Sequence, residues 1–441
     1  MWDREQLAQE AAAAMSRYVQ IDTTNPPGAE RAAADWLKAQ LAERGVSEEV
    51  EYWGPDTASR PILVARVPGS KALKPLIVNH HMDVVPADPA DWSHAPFGGE
   101  IADGYVWGRG TLDTKGLGIM FLLALEGLIR DGIQFRRPLV FLAVPGEETG
   151  GSCGMGWLAE KAMERLDPEW MWDEGGAMLE GMLPNGPLAG IAVAEKRIAQ
   201  YRLKARGKAG HGSMPHSEIA PETLIRAMAR LPQRKARMNP VSRTMFSAIG
   251  AAMPGMQGKL LQRLDNPLVR AVASGKLTAS PLMNAMLRDT ISMTQLEAGY
   301  KVNVIPELAE AGIDCRLLPD TDPDEFEAWL RQHLDDDRVE LERLEQSAEA
   351  DIAPIEGPFF DAVRGALAEC QPGAVVVPMQ MPGGSDARFF RQQGIPAYGF
   401  APYAIDQAEM ARVHGVDERI SIDNLVLGVQ VCSRVIATLC T

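Results

Sequence analysis

Short runs of apolar, mostly β-branched residues recur along the first third of this chain, and segments of helical length separate several of them. Three such runs are 62–67, 76–78 and 139–144, and the apolar segment 117–129 lies between the last two. Strands that are hydrophobic along their whole length are buried on both faces, which is typical of a parallel sheet covered by helices. The pattern therefore predicts an α/β fold with a mostly parallel sheet.

The pattern changes near residue 197 and returns near residue 350. Residues 199–206 alternate polar and apolar side chains, which indicates a half-exposed strand, and the spacing over 221–230 is that of an amphipathic helix. Residues 233–297 are rich in Met and Arg and lack strand alternation, so we predict a helical insertion there. We therefore predict two domains, the second an α+β domain inserted into the first: 1–196 with 350–441, and 197–349 with the insertion at about 233–297.

The charge balance excludes some classes of function. Asp and Glu outnumber Lys and Arg by 59 to 44, which gives a formal net charge of −15. Such a surface repels the phosphates of nucleic acids and anionic lipids, so we expect neither nucleic-acid nor membrane partners. We expect a cytoplasmic protein with free thiols, because the five cysteines form no CxxC pair and the N-terminus has no basic segment before an apolar run. The apolar stretches are also shorter than the ~20 residues of a membrane-spanning helix.

Side chains able to bind a metal follow the apolar runs. Active-site residues of α/β proteins gather where loops leave the carboxyl ends of parallel strands. Two imidazoles and several carboxylates, without cysteine, form the ligand set expected for Zn²⁺ or a similar divalent ion. The residues concerned are His81, Asp83, Asp113, Glu147, Glu148, Asp173 and His414.

Taken in order, the motifs of this chain resemble the signatures of the M20 metallopeptidase family. They lie at 78–86 (VNHHMDVVP), 107–116 (WGRGTLDTKG), 147–151 (EETGG), 207–213 (GKAGHGS), 303–306 (NVIP), 384–387 (GSDA) and His414. The resemblance covers nearly the whole chain. It implies a zinc-peptidase-like catalytic domain, formed by the two outer segments, and an inserted lid or dimerisation domain.

The resemblance also implies a hydrolase with two divalent metal ions. The expected metal is Zn²⁺, with Co²⁺ or Mn²⁺ as alternatives. Asp113 would bridge both ions. His81 and Asp173 would complete one site, and Glu148 and His414 would complete the other.

Further roles follow from the resemblance. Asp83 would accept the second ring N–H of His81, and Glu147 would be the general base that takes a proton from the attacking water. His211 would stabilise the oxyanion, within its own subunit or in the neighbouring one, and the second case implies a homodimer. The residues implied to bind the substrate are Asn303, Arg316, Gly384, Ser385 and Arg388.

The implied reaction is cleavage of an amide bond in an N-acyl amino acid or a short peptide with a free carboxylate. Residues 173–176 and 195–197 look more like the aminoacylase and carboxypeptidase S branch than the glutamate carboxypeptidase branch, but deacylase against dipeptidase or carboxypeptidase stays open. A non-catalytic binding protein on the same scaffold would lack a ligand or the base, and this sequence lacks neither. A phosphoesterase would carry extra cationic groups near the metals, and none is evident.

Overall fold

The computed structural model describes residues 2–348 and 350–441, except for the side chain of Lys276. The helices of the described residues are α1 (Arg4–Val19), α2 (Arg31–Glu43), α3 (Lys115–Arg130), α4 (Met155–Lys161), α5 (Met163–Leu166), α6 (Ala220–Ala229), α7 (Pro240–Ala252), α8 (Gly255–Leu261), α9 (Pro267–Leu277), α10 (Pro281–Leu287), α11 (Pro323–Leu334), α12 (Pro358–Cys370), α13 (Ala387–Arg391), α14 (Gln407–Met410) and α15 (Ile422–Cys440). The strands are β1 (Val50–Trp53), β2 (Ile62–Val67), β3 (Leu76–His81), β4 (Ile101–Ala102), β5 (Tyr105–Trp107), β6 (Leu139–Val144), β7 (Trp170–Asp173), β8 (Met178–Leu179), β9 (Leu188–Glu195), β10 (Arg197–Arg206), β11 (Gly210–His211), β12 (Thr290–Ala298), β13 (Val304–Ile305), β14 (Leu308–Leu317), β15 (Val339–Gln346), β16 (Val375–Met381), β17 (Ala397–Gly399), β18 (Ala404–Ile405) and β19 (Arg419–Ser421).

The large sheet has the strand order β1-β2-β6-β3-β7-β17-β9-β8-β18, and β16 also pairs with β9. Its centre is parallel, since β6, β3, β7 and β17 run in one direction, whereas β1 and β2 add antiparallel pairs at one edge. The predicted α/β class with a mostly parallel sheet is confirmed for the centre of this sheet.

Both faces of the central strands are buried, as their continuous hydrophobicity predicts. Val78 and Phe141 point into the core that includes α1, α3, α12 and α15, whereas Ile77 and Leu142 point into a second core that includes α4 and α13. Because β3, β6 and β7 are parallel, their carboxyl ends meet at one edge of the sheet. The residues that follow them are therefore brought together.

The helix α15 is, by length and composition alone, long and apolar enough to cross a membrane. The sequence alone suggested no such stretch, because Asp423, Arg434 and other polar residues interrupt its apolar residues. In the structure α15 packs against α1, α3 and α12, and its apolar residues belong to the main core. We therefore interpret it as the core helix of the first domain.

A second sheet is antiparallel, with the order β12-β14-β10-β15. The alternation predicted for β10 is present: Tyr201 and Leu203 are buried against α6 and α11, and Arg202 between them is partly exposed. The chain passes from the large sheet to this one at Lys196, between β9 and β10, and returns after β15. The predicted limits at residues 1 and 349 lie outside the described residues.

The predicted helical insertion at about 233–297 is wrong at its C-terminal end. Helices α7 to α10 lie between 240 and 287, but Thr290–Ala298 is the edge strand β12. Its pairing with β14 shifts register between Met293 and Gln295. Such a bulge adds a residue to one strand, so the apolar residues before it and Leu296 after it fall out of alternation. That irregularity concealed the strand.

Candidate metal centre and active site

Two groups of potential metal ligands meet beyond the carboxyl ends of β3, β6 and β7, and they share Asp113. The first group is His81, Asp113 and Glu174, and the second is Asp113, Glu148 and His414; within each, the ligand atoms lie within 4.8 Å of one another. Asp113 Oδ1 is 2.8 Å from His81 Nε2, and Asp113 Oδ2 is 2.9 Å from His414 Nε2. The two oxygens of one carboxylate thus face two imidazoles, as a ligand between two ions would.

The fold explains why residues far apart in the chain meet here. His81 ends β3, and Glu148 lies in a 3₁₀ turn, Glu147–Thr149, directly after β6. Glu174 follows β7, and Asp113 lies in the loop that leads into α3. His414 comes from the loop between α14 and β19, where its φ of 61° is in the left-handed region.

The structure does not place Asp173, the predicted ligand, in either group. Its side chain is buried and accepts a hydrogen bond from Asn79 Nδ2 at 2.9 Å. The next residue, Glu174, instead brings Oε1 to within 3.5 Å of His81 Nε2. Neighbouring residues on an extended segment point to opposite sides, so only one carboxylate of this pair can face the cluster. The adjacent carboxylates at 173 and 174 were the signal in the sequence, and Asp173 was predicted as the ligand where the structure has Glu174.

The structure also corrects the predicted contact between Asp83 and His81. His81 Nδ1 lies 2.8 Å from the backbone carbonyl oxygen of Asp83 and 3.7 Å from its carboxylate. That carboxylate accepts hydrogen bonds from the backbone N–H groups of Gly146, Glu147 and Glu148, at 2.8, 3.2 and 3.2 Å. The side chain of Asp83 therefore fixes the turn that presents the Glu pair.

The charges of the cluster favour a bound cation. Hydrogen bonds to Asp113 and Glu148 raise the pKa of the His414 imidazole to about 10. Burial and the negative charge of Glu174 hold the pKa of the Glu147 carboxyl well above its usual value. Glu148 Oε1 is buried and has no hydrogen-bond partner among the described residues. These carboxylates and imidazoles fit divalent ions, whose charge would offset the repulsion among the acidic groups.

Two of the predicted residues of the second domain are neighbours. The backbone N–H of Gly212 donates to the carbonyl of Asn303 at 2.9 Å, so His211 and Asn303 lie side by side where β11 pairs with β13. His211 is exposed, and its Nδ1 contacts Ser213 Oγ at 2.7 Å.

Arg316 lies away from this pair. It is near the far end of β14, where it forms an ion pair with Asp314 at 3.1 Å. The eight residue-to-residue steps from Leu308 to Arg316 span about 26 Å at ~3.3 Å per step. Within one subunit, therefore, Asn303 and Arg316 are not brought together as the predicted substrate-binding pair.

The remaining predicted substrate residues lie close together: Gly384 and Ser385 in the loop between β16 and α13, and Arg388 in the first turn of α13. Arg388 donates to the carbonyl of Ser385 at 3.1 Å and to the carbonyl of Gly150 at 2.9 Å, which connects this loop to the turn that carries Glu147. Ser385 Oγ donates to Glu195 Oε1 at 2.5 Å. A Cβ at position 384 would come within 2.7 Å of the Arg388 guanidinium, so the guanidinium lies directly against Gly384.

The sequence profile of "Peptidase family M20/M25/M40" matches residues 77–438 of this chain. The chain belongs to this family. An M20 relative, N-fatty-acyl-amino acid synthase/hydrolase PM20D1 of Xenopus tropicalis, is 32% identical over 81% of this chain and 71% of its own length. Aminoacylase-1 of Sus scrofa is 26% identical over 96% of this chain and 93% of its own length.

Solved structures agree with this M20 assignment at the level of the fold. An M20 family metallo-carboxypeptidase, Sso-CP2 from Sulfolobus solfataricus, superposes with a TM-score of 0.71 at 17% identity, covering 97% of this chain and 98% of that one. The family match and the curated relatives make the protein an enzyme, a hydrolase of the M20 type. Its two groups of potential metal ligands are consistent with the metal dependence of that family.

Proposed function

We propose that this enzyme hydrolyses the amide bond of N-acyl amino acids and that it binds the free carboxylate of the substrate. The observation that carries the proposal is the pair of ligand groups on Asp113, with Glu147 adjacent to one of the ligands in the chain. The relatives named N-fatty-acyl-amino acid synthase/hydrolase and aminoacylase support a deacylase. A dipeptidase or carboxypeptidase is the alternative.

We propose Zn²⁺ for both groups, with Co²⁺ or Mn²⁺ as alternatives. His81, Asp113 and Glu174 would hold one ion, and Asp113, Glu148 and His414 would hold the other. The ions would supply Lewis acidity to the scissile carbonyl and lower the pKa of the attacking water. The unpartnered Glu148 Oε1 supports this assignment, because a buried carboxylate oxygen without a donor is costly unless a cation is nearby.

Glu147 is the proposed general base. It would take a proton from the attacking water and return it to the leaving amine. Asp83 holds its turn through the backbone, so the carboxylate of Glu147 stays free for this transfer. The segment with Gly384, Ser385 and Arg388, at the start of α13, is the proposed site for the substrate carboxylate, because backbone N–H groups and a guanidinium bind carboxylates.

The first expected result concerns the substrate. The metal-loaded enzyme is assayed on paired panels of N-acyl amino acids and dipeptides with the same C-terminal residue. Turnover is expected on the acyl panel, with a kcat/KM at least ~100-fold lower once the carboxylate is replaced by an amide, because a charge-assisted contact is lost. Inactivity on both panels would contradict the proposed function, and faster turnover of dipeptides would favour the alternative.

We also propose a homodimer in which His211 and Asn303 act on the partner's active site. The edge strand β12 supports an interface, since one side of its backbone pairs with no other described strand and Met293 and Leu296 are exposed. The separation of His211 and Asn303 from Arg316 supports action across subunits, because Arg316 is near the junction with the first domain.

The second expected result tests this arrangement by mixing inactive variants. Glu147→Ala and His211→Ala are unfolded together and refolded as mixed dimers. If His211 acts across the interface, half of the dimers regain one of two sites, so activity returns to about 25% of wild type. Action within one subunit gives no recovery, and a monomer in light scattering would contradict the dimer. His216→Ala, in the same loop as His211, serves as the control. Its own activity should equal that of wild type, before and after the same unfolding and refolding.

We further propose a cytoplasmic location. All five cysteines are free in the structure, which fits a reducing compartment.

A further inference from the structure

Glu418 is a fully buried carboxylate four residues after His414. Its Oε1 accepts hydrogen bonds from the backbone N–H groups of Leu112, at 2.8 Å, and Asp113, at 3.2 Å. Its Oε2 accepts from Arg109 Nη1 at 2.7 Å and from the backbone N–H of Gly110 at 3.1 Å. Each carboxylate oxygen therefore accepts two hydrogen bonds, all four from the loop that carries Asp113.

The side chain of Arg109 adds a contact from the Asp113 loop to the residue that follows His414. Its side chain is 3% exposed, and its Nη2 donates to the carbonyl of Gly415, the residue after His414, at 2.9 Å. The backbone N–H of Gly108 also donates to the carbonyl of Glu418 at 2.8 Å. The ion pair and its hydrogen bonds thus join residues 108–113, which end at Asp113, to Gly415 and Glu418, which follow His414.

The His414 loop depends on this connection for its place. The His414 side chain is 52% exposed and its backbone is in the left-handed region, so packing fixes it less than it fixes His81, which ends a buried strand. Glu418 and Arg109 are too deeply buried to touch a substrate. Their hydrogen bonds to the two loops instead hold Asp113 and His414 in position.

We propose that Glu418, paired with Arg109, is a positioning residue that fixes the distance between Asp113 and His414 and thereby sets the affinity for the metal ion held by His414. This inference rests on the metal-binding role proposed above. It predicts that loss of the Glu418 carboxylate has a selective effect. Binding of the ion held by Asp113, Glu148 and His414 should become weaker, whereas binding of the ion held by His81, Asp113 and Glu174 should change little.

The experiment titrates metal-free protein with Zn²⁺ by calorimetry and counts bound ions by mass spectrometry after gel filtration. In Glu418→Gln the shape is kept, but the amide nitrogen must face a donor, either Arg109 or a backbone N–H. Affinity for the ion held by His414 should fall by roughly 10–100-fold, as it does when other residues that orient metal ligands are replaced. Affinity for the other ion should change little. In a His414→Ala background, Glu418→Gln should cause no further loss, because that ion is already gone.

Two more variants make the test decisive. Arg109→Lys keeps the charge but cannot reach both Glu418 and Gly415, so it should weaken the same ion, and it decides the matter if Glu418→Gln does not fold. Glu126→Gln breaks a half-buried ion pair between α3 and Arg44, the residue after α2, and this variant should still bind both ions. Wild-type affinity for both ions in Glu418→Gln and Arg109→Lys overturns the proposal, as does an equal loss in Glu126→Gln. Failure of the wild type to bind two ions would instead contradict the proposed function.

Discussion

Replacing Glu147 with Gln should lower kcat by roughly 10²–10⁴-fold, the usual contribution of a general base, while both metal ions stay bound. Gln has nearly the same shape but cannot accept the proton of the attacking water. Glu147 belongs to neither group of potential ligands, so metal content should not change. Steady-state kinetics on the best N-acyl amino acid, together with metal analysis of the same sample, measures both quantities.

The neighbouring residue provides the matched comparison for this variant. Glu148→Gln removes the same charge one position along the chain, but Glu148 Oε2 is 3.2 Å from His414 Nε2, so this change should release an ion. Glu160→Gln, on the exposed surface of α4, should alter neither kcat nor metal content. A Glu147→Gln enzyme that keeps more than about a tenth of wild-type kcat would show that another group takes the proton.

The large sheet could be predicted from the sequence because β3 and β6 are apolar on both faces, and a parallel sheet between two layers of helices is the arrangement that buries both. The strand β12 could not, because it is an exposed edge strand whose alternation is interrupted by the bulge after Met293. The periodicity of apolar residues in a sequence reflects which side chains the fold buries. A strand whose side chains are mostly exposed, such as β12, therefore leaves a weak periodic signal.

The candidate site was predictable in its membership and less so in its orientation. Strand ends identify which residues gather at the edge of the sheet. The side to which each of two adjacent carboxylates points depends on how the sheet packs, and this packing turns Glu174, not Asp173, toward His81. The acceptor for His81 Nδ1 is a backbone carbonyl, which no residue type reveals. Glu418 was missed for a similar reason, since its four donors come from a loop about 305 residues earlier in the chain.

Glu174→Gln should release the ion of the first group and with it most activity, whereas Asp173→Asn should retain that ion. Both changes remove one negative charge from adjacent positions, so differences between them report geometry rather than net charge. Burial and the nearby charge of Asp113 raise the pKa of the Glu174 carboxyl to about 8, and a divalent ion between these groups would relieve that repulsion.

The two variants differ in what the remaining oxygen contacts. Asn at position 173 can still accept the hydrogen bond from Asn79, so the local structure is kept, but Gln at position 174 offers only a neutral oxygen beside His81. Affinity for one Zn²⁺ should therefore fall in Glu174→Gln by more than the roughly 10–100-fold seen when only an orienting partner is lost. Metal titration of both variants measures this. Loss of the ion in Asp173→Asn with retention in Glu174→Gln would restore Asp173 as the ligand, because only the residue whose oxygen faces His81 can hold the ion there.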